Sequence, residues 1–421
     1  MTETTPPEDR KTFMQKMQAA LGAGKEFSLE SLASLQRGGR ELQSPLNAVF
    51  GDRLEELGSS LALPMRLYTE DATGFTPLEI ETAALRDQLP EPKDRICIFV
   101  HGLGSSERTW AVRRKSAADA RNKHKKKRKQ TTSEPMESEA AENAGESEAP
   151  SRLTSYTELL GRDTGHACFY VRYNTGRHIS RNGRDLAELL NQVQRAYPVK
   201  LREINLIGHS MGGLVLRSAG YYGSRAGHGW IKILKRNLLL GSPLLGAHQE
   251  QIGKLTTDIL NALPLPATRI TAKFLDLRSA GIQDLGYGYL RDEDWQGPAP
   301  SRWNIFARAK TDPAAKSGSP SEGPALKNRR NPVPLLKKSR YCLIIGSLSK
   351  DPESIIGSFL GDGVVNRQSA HGDAGKDPGE NYERYDGHAS AITREIRGLS
   401  HNNIPGDPRV YRQIRDWLRT N

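Results

Sequence analysis

The chain predicts an α/β fold with a mostly parallel central sheet covered by helices on both faces, on three observations. Near-continuous apolar runs recur at 95–100, 167–173, 203–207, 237–241 and 341–346, as expected of strands buried on both faces. Stretches of helical spacing such as Leu186 to Val193 lie between them. Polar and glycine-bearing residues follow several runs at once: His101-Gly102-Leu103-Gly104 after Val100, Gly208-His209-Ser210 after Ile207, Gly241-Ser242-Pro243 after Leu240. After the 341–346 run and a loop comes Gly361-Asp362-Gly363-Val364-Val365. Ligands of such sheets sit beyond the carboxyl ends of the strands, so these are the places to look for chemistry.

The elements follow in order. In the first sixty residues Phe13, Met17 and Leu21 have helical spacing, closed by Gly22, and a second stripe comprises Leu46, Val49, Phe50, Leu54 and Leu57. Residues 1–60 therefore read as a helical extension whose stripes pack on a parent domain or, as the alternative, bind a membrane surface. The alternation of strand and helix begins at about 61 and continues to the end, making 61–421 one α/β domain with insertions. A charged insertion spans about 113–151: ten Lys and Arg lie between Arg113 and Lys129, and the next residues turn acidic from Glu134 to Glu148. It has no apolar period and is expected to be a disordered loop. A second insertion, about 244–338, carries Ile252, Leu255, Ile259 and Leu263 at helical spacing before Pro264 and Pro266, as a cap or lid helix would, or equally a core helix. Its later part, from Thr311, is rich in Pro, Ser, Lys and Arg and reads as flexible. A last strand-like run, Ala391 to Ile396, precedes an amphipathic helix bearing Val410, Ile414, Trp417 and Leu418.

Composition bounds the class. The 421 residues are only 36% hydrophobic with a mean hydropathy of −0.62, which fits core segments diluted by polar insertions. Cys97, Cys168 and Cys342 each sit inside an apolar run and read as small core side chains of a reducing compartment. The N-terminus lacks a basic stretch followed by an apolar core, and no apolar run approaches membrane-spanning length. A soluble, cytoplasmic protein is expected, with export independent of a cleaved signal left open. The net charge of +12 suits an anionic surface. Transient contact with an anionic membrane is therefore an expectation. The basic cluster has no interleaved aromatics, so nucleic acid is not an expected partner.

The chemistry centres on Gly208-His209-Ser210-Met211-Gly212. A serine between a strand and a helix, flanked two residues away by glycines, reads as a nucleophile elbow, and Gly213 extends the tolerance for a tight turn. A serine hydroxyl needs a base to take its proton and a third group to hold that base. In sheets carrying this elbow the acid and then the histidine follow the serine. Asp362, between glycines after the 341–346 strand, is the candidate acid, with a plain Asp-Gly turn as the alternative. His401, after the last strand, is the candidate base; His388 and His371 compete with it. An oxyanion would be met by the backbone N–H of Met211 and by that of Leu103, in a loop where His101 and Gly102 let the backbone approach.

These residues resemble a family. His101 to Gly104, Gly208 to Gly213, Leu240 to Gly246, Asp362 to Val365, Leu399-Ser400-His401 and Pro408 to Leu418 look like the motifs of bacterial α/β-hydrolase lipases, in the branch related to the glycosylphosphatidylinositol inositol-deacylases. The resemblance covers about residues 90–112, 152–250 and 335–421. It implies an α/β-hydrolase fold, a triad of Ser210, Asp362 and His401, and chemistry needing no metal or organic cofactor. One departure is that Asn402-Asn403-Ile404-Pro405 follows the histidine where such lipases often carry aromatic or aliphatic residues. The expected function is hydrolysis of carboxylic esters, lipid or acyl, through an acyl-enzyme. Amides or thioesters could be cleaved by the same groups, and a non-catalytic scaffold binding anionic lipid or nucleic acid through the basic insertion is the alternative from another class.

Overall fold

The structure, a computed structural model, describes residues 39–113, 153–247, 249–261, 279–296, 330–348 and 391–420. The stripe at Phe13, the basic insertion, Leu263, most of the Pro- and Ser-rich tract, Asp362, His371 and His388 lie outside the described residues.

Helix α1 (Gly39–Glu56) buries Leu46, Val49, Phe50 and Leu54, the stripe read from the sequence. Burying each such side chain stabilises by roughly 1.5–3 kcal/mol, which fixes the helix on the domain. Asn47 then staples the following segment: its amide donates to the Leu61 carbonyl at 2.8 Å and accepts from the Leu63 N–H at 2.9 Å. A hairpin follows, β1 (Arg66–Asp71) and β2 (Gly74–Pro77), turned where the Asp71 carboxylate accepts from the Thr73 N–H at 2.7 Å. Next come α2 (Thr82–Gln88) and β3 (Arg95–Val100). The short strands β4 (Ala111–Arg113) and β5 (Leu153–Ser155) pair antiparallel, Arg113 against Leu153.

Ser155 ends β5 and caps α3 (Tyr156–Thr164), accepting from the Glu158 N–H. The chain continues through β6 (Ala167–Arg172), α4 (Ile179–Ala196), β7 (Glu203–His209), α5 (Met211–Arg225) and β8 (Leu234–Leu240). The second insertion contributes α6 (Gln249–Asn261), α7 (Ala280–Tyr287) and α8 (Asp292–Trp295). Then come β9 (Arg340–Ser347), β10 (Ala391–Arg397), a 3₁₀ turn at His401–Asn403 and α9 (Pro408–Arg419).

Eight strands form one sheet in the order β10-β9-β8-β7-β3-β6-β1-β2. It is parallel from β10 to β6, and β1 and β2 add an antiparallel edge. Because successive strand side chains point to opposite faces, β3 feeds two cores. Ile96, Ile98 and Val100 join the core containing α1, α4 and α5. Cys97 and Phe99 join the other, with Trp110, Tyr156, Ile414 and Trp417. Cys97, Cys168 and Cys342 are buried free thiols. Arg236 on β8 pins α9 to the sheet by donating to the Trp417 carbonyl at 3.1 Å and to the Glu203 carboxylate at 2.6 Å. Among the described residues no helix is long and apolar enough to cross a membrane.

Chain order reverses direction around β3: the next sheet strand, β6, lies on one side of it and β7 on the other. Such a switch point opens a crevice at the carboxyl ends. The loops after β3, β6 and β7 meet there.

Candidate active site

Strand β7 ends at His209 and helix α5 begins at Met211, so the single residue Ser210 makes the turn, at φ 54° and ψ −125°. It is the one non-glycine residue with positive φ among the described residues. Such a conformation costs on the order of 1–3 kcal/mol and persists only where the surroundings over-determine it. Here the Ser210 N–H donates to the Leu240 carbonyl of β8 at 2.9 Å, and its own carbonyl accepts from the Gly213 N–H at 3.0 Å. The glycines let the elbow close. A Cβ on Gly208 would lie 2.7 Å from the Gly212 carbonyl carbon, and one on Gly212 only 2.2 Å from the Val100 carbonyl oxygen. The helix therefore starts against the end of β3, and the Met211 N–H, first of the helix, has no intrahelical acceptor.

The loop after β3 touches the nucleophile candidate: a Cβ on Gly102 would sit 2.9 Å from the Ser210 Cβ. His101 anchors that loop. Its ring is fully buried and stacks on Tyr173 with centroids 4.6 Å apart, while its carbonyl accepts from the Tyr173 hydroxyl at 2.9 Å. Burial pushes the His101 imidazole down to about 4, so it is neutral at pH 7 and serves packing rather than charge. The Ser105 N–H returns to the Gly102 carbonyl at 3.2 Å, and the Gly104 N–H donates to Thr175 Oγ at 3.3 Å. Leu103 lies between, largely buried. Just beyond, the fully buried Glu107 carboxylate is gripped by Arg172, whose Nε donates at 2.6 Å.

His401 enters from the end of β10, after the Leu399 N–H has donated to the Ser347 carbonyl at 2.9 Å. It opens the 3₁₀ turn and is 3% exposed. Its carbonyl lies 3.1 Å from Nε2 of His209, and the two rings are 4.8 Å apart. Asn403 closes the turn by donating to Ser400 Oγ at 2.8 Å, and Pro405 accepts from the Tyr156 hydroxyl at 2.8 Å. The Asn-Asn-Ile-Pro departure is thus a compact turn whose Ile404 is buried.

Ser210, Met211, Gly208, Gly212, His101, Gly102 and Leu103 come together at the carboxyl ends of β3 and β7, and His401 reaches them through its contact with His209. Asp362 lies outside the described residues. Three contributors were not assigned a role from sequence. His209 occupies the variable position of the Gly-x-Ser motif. Tyr173 stands one residue past β6, where the strand-end rule would have found it. Arg172 is a charge closing an apolar run, a pattern that calls for a buried partner.

The second insertion approaches the same loop. Ile259 of α6 would lie 2.9 Å, at its Cδ1, from a Cβ on Gly104, and Ala48 of α1 3.6 Å away. Leu103, Ala48, Ile252, Leu255, Ile259 and Met211 belong to one buried apolar core, and Ile259 and Ala48 bring it against the loop at Gly104.

Residues 91–296 match the model of the PGAP1-like alpha/beta domain. Among the curated proteins none matches the chain. Similar solved structures include lipase BlEst2 of Bacillus licheniformis in mature form, at 15% identity over 77% of this chain and 91% of that one with a TM-score of 0.38. An esterase of Pyrobaculum calidifontis is similar at 10% identity over 99% and 97%, TM-score 0.33. A thermophilic esterase of Thermogutta terrifontis, malate bound, is similar at 13% identity over 85% and 98%, TM-score 0.35. The mostly parallel strand order and the one-residue turn at Ser210 give this chain an α/β-hydrolase fold, and residues 91–296 are similar to the PGAP1-like alpha/beta domain.

Proposed function

We propose that the protein is a serine hydrolase of carboxylic esters, acting on acyl or lipid esters through Ser210, His401 and Asp362. The observation that carries this reading is Ser210 held at φ 54° between strand and helix, in contact with the loop at Gly102. In the proposed cycle Nε2 of His401 takes the Ser210 proton as Oγ attacks the acyl carbon, and the carbonyl electron pair moves onto oxygen. The N–H groups of Met211 and Leu103 receive that oxyanion. Collapse breaks the ester C–O bond, the leaving alcohol takes the proton from His401, and an acyl-Ser210 remains. Water, deprotonated by His401, attacks the acyl carbon and Ser210 leaves with the proton restored. Asp362 orients His401 and offsets its charge while it is protonated. The apolar residues beside the loop, Leu103, Ala48 and Ile259, suit an acyl chain.

A fluorophosphonate probe tests the assignment. Labelling is lost in Ser210→Ala and kept in Ser218→Ala, whose hydroxyl is spent on the Leu290 carbonyl at 2.7 Å; labelling retained in Ser210→Ala rejects the reading. A series of p-nitrophenyl esters of rising acyl length, run beside phospholipid, amide and thioester substrates, sets the bond and the chain preferred.

A further inference from the structure

We propose that His209 is a positioning residue that sets the direction of the His401 imidazole by holding its backbone carbonyl. This rests on the reading of Ser210 and His401 as nucleophile and base.

His209 is 4% exposed and is the last residue of β7, one peptide bond before Ser210. Its imidazole is wedged between two loops. Nε2 is 3.1 Å from the His401 carbonyl oxygen, and Nδ1 is 3.4 Å from where a Cβ on Gly102 would stand. A carbonyl oxygen only accepts, so Nε2 carries the proton and donates. In the neutral ring Nδ1 is then a lone pair, and it has no hydrogen-bond partner among the described residues. Burial, with the His401 and His101 rings beside it, keeps this imidazole neutral. That is a requirement of the role, because His401 becomes an imidazolium during each proposed proton transfer and a second cation next to it would oppose that step.

The geometry explains why a ring here matters more than its volume. The His401 carbonyl also accepts the Ile404 N–H at 3.2 Å, the bond that closes the 3₁₀ turn. A donor on that oxygen fixes the peptide plane after His401, and with it the direction in which the side chain leaves the backbone. Since His209 is bonded to Ser210, the base loop is registered against the nucleophile itself, not against the distant sheet edge. Proton transfer is sensitive at this scale: displacement of a catalytic group by about 1 Å can cost about a hundredfold in rate.

The test compares amides of different reach. In His209→Gln the side-chain N–H₂ can extend to the ε position and the carbonyl; in His209→Asn it stops at the δ position and cannot. His209→Leu supplies volume without a donor. With p-nitrophenyl butyrate as substrate, kcat is expected to fall about 10- to 100-fold in Asn and Leu with KM within about threefold of the parent, and to recover most of the loss in Gln. Melting temperatures normalise for folding, and if Leu does not fold the Gln and Asn pair decides alone. Equal activity in Gln and Asn, or an activity loss that only tracks melting temperature, overturns the proposal. His401→Ala serves as the reference: inactive beside an unimpaired His209→Asn, it removes this inference alone; active, it removes the triad reading and this inference with it.

Discussion

Substituting Gly102 by alanine probes the contact on which the whole site depends. The new methyl would stand 2.9 Å from the Ser210 Cβ, 3.3 Å from the His209 carbonyl oxygen and 3.4 Å from His209 Nδ1. Carbon atoms normally meet at about 3.5–4.0 Å, so the overlap on Ser210 is roughly 0.6–1 Å. Neither side of the elbow can yield cheaply. Ser210 is held by β8 through the Leu240 carbonyl, and the Gly212 turn has no clearance against Val100. His101, just before the loop, is fixed by Tyr173 through both its ring and its carbonyl. The loop at 102–104 must therefore move, taking the Leu103 N–H with it.

Overpacking of this degree costs about 1–3 kcal/mol of stability. A donor shifted by most of an ångström from a developing oxyanion costs about a hundredfold in kcat, with KM little changed because ground-state binding does not depend on it. The measurement is kcat and KM on p-nitrophenyl butyrate beside thermal unfolding. Gly253→Ala is the control: it lies on α6 with nothing within 4 Å of its would-be Cβ, and is expected to stabilise by about 0.5–1 kcal/mol. A folded Gly102→Ala enzyme whose kcat stays within about threefold of the parent would refute the idea that this loop supplies a donor.

Three further outcomes follow from the same contacts. Glu107→Gln leaves the Arg172 guanidinium buried without its counter-charge, and a loss of about 3–5 kcal/mol in denaturant unfolding is expected. With the His101 imidazole held near 4 against an ordinary 6.5, the unfolded chain binds the proton first. The stability it supports above pH 6.5 is lost as pH falls toward 4, by roughly 3 kcal/mol in total, and His101→Gln should flatten that limb of a pH-stability curve. Glu203 is held near 2 although burial alone would raise it, because His166 and Asn205 hydrogen-bond it and Arg236 adds positive charge. Its contribution is present above about 4.5 and lost as pH falls through 2, amounting to about 1–2 kcal/mol after solvent screening; Arg236→Met should shrink it and raise the pH of acid unfolding.

The parallel strands were legible because a strand buried on both faces has to be apolar along its length. The runs at 95–100 and 341–346 fall within Arg95–Val100 and Arg340–Ser347, and the Gly-x-Ser-x-Gly turn stands where β7 meets α5. Strands β1, β2, β4 and β5 escaped notice for the opposite reason. Arg66-Leu67-Tyr68-Thr69-Glu70-Asp71 is only partly buried, next to the edge strand β2, and β4 and β5 are three residues each, too short for an alternation to register. Strand β8 begins at Leu234, earlier than the run at 237–241, because Lys235 and Arg236 interrupt the apolar sequence. Arg236 earns its interior place only through partners far away in sequence, Glu203 and the end of α9. The contact between His209 and the His401 carbonyl was invisible for the same reason: a motif records what lies beside the nucleophile in the chain, not what folding brings over it.

That distinction also explains how the chain carries long insertions without disturbing the site. The basic insertion leaves the sheet between β4 and β5, and the pairing of Arg113 with Leu153 brings its ends together. Once that ladder is closed, each doubling of the intervening length adds only about 0.6 kcal/mol of closure entropy. The second insertion is tied down at several points instead. Ser279 donates to the Ala48 carbonyl at 2.6 Å and the Ala280 N–H to the Asp52 carboxylate at 2.8 Å, so α7 is locked to α1. Arg217 on α5 holds the carbonyls of Val333 and Pro334. These anchors set α6 beside the loop of Gly104 through Ile259 while leaving the elbow's own bonds, all to β3, β8 and α5, untouched. The two sets of contacts are thus separate: the strand ends orient Ser210, and the inserted helix α6 packs on the loop at Gly104.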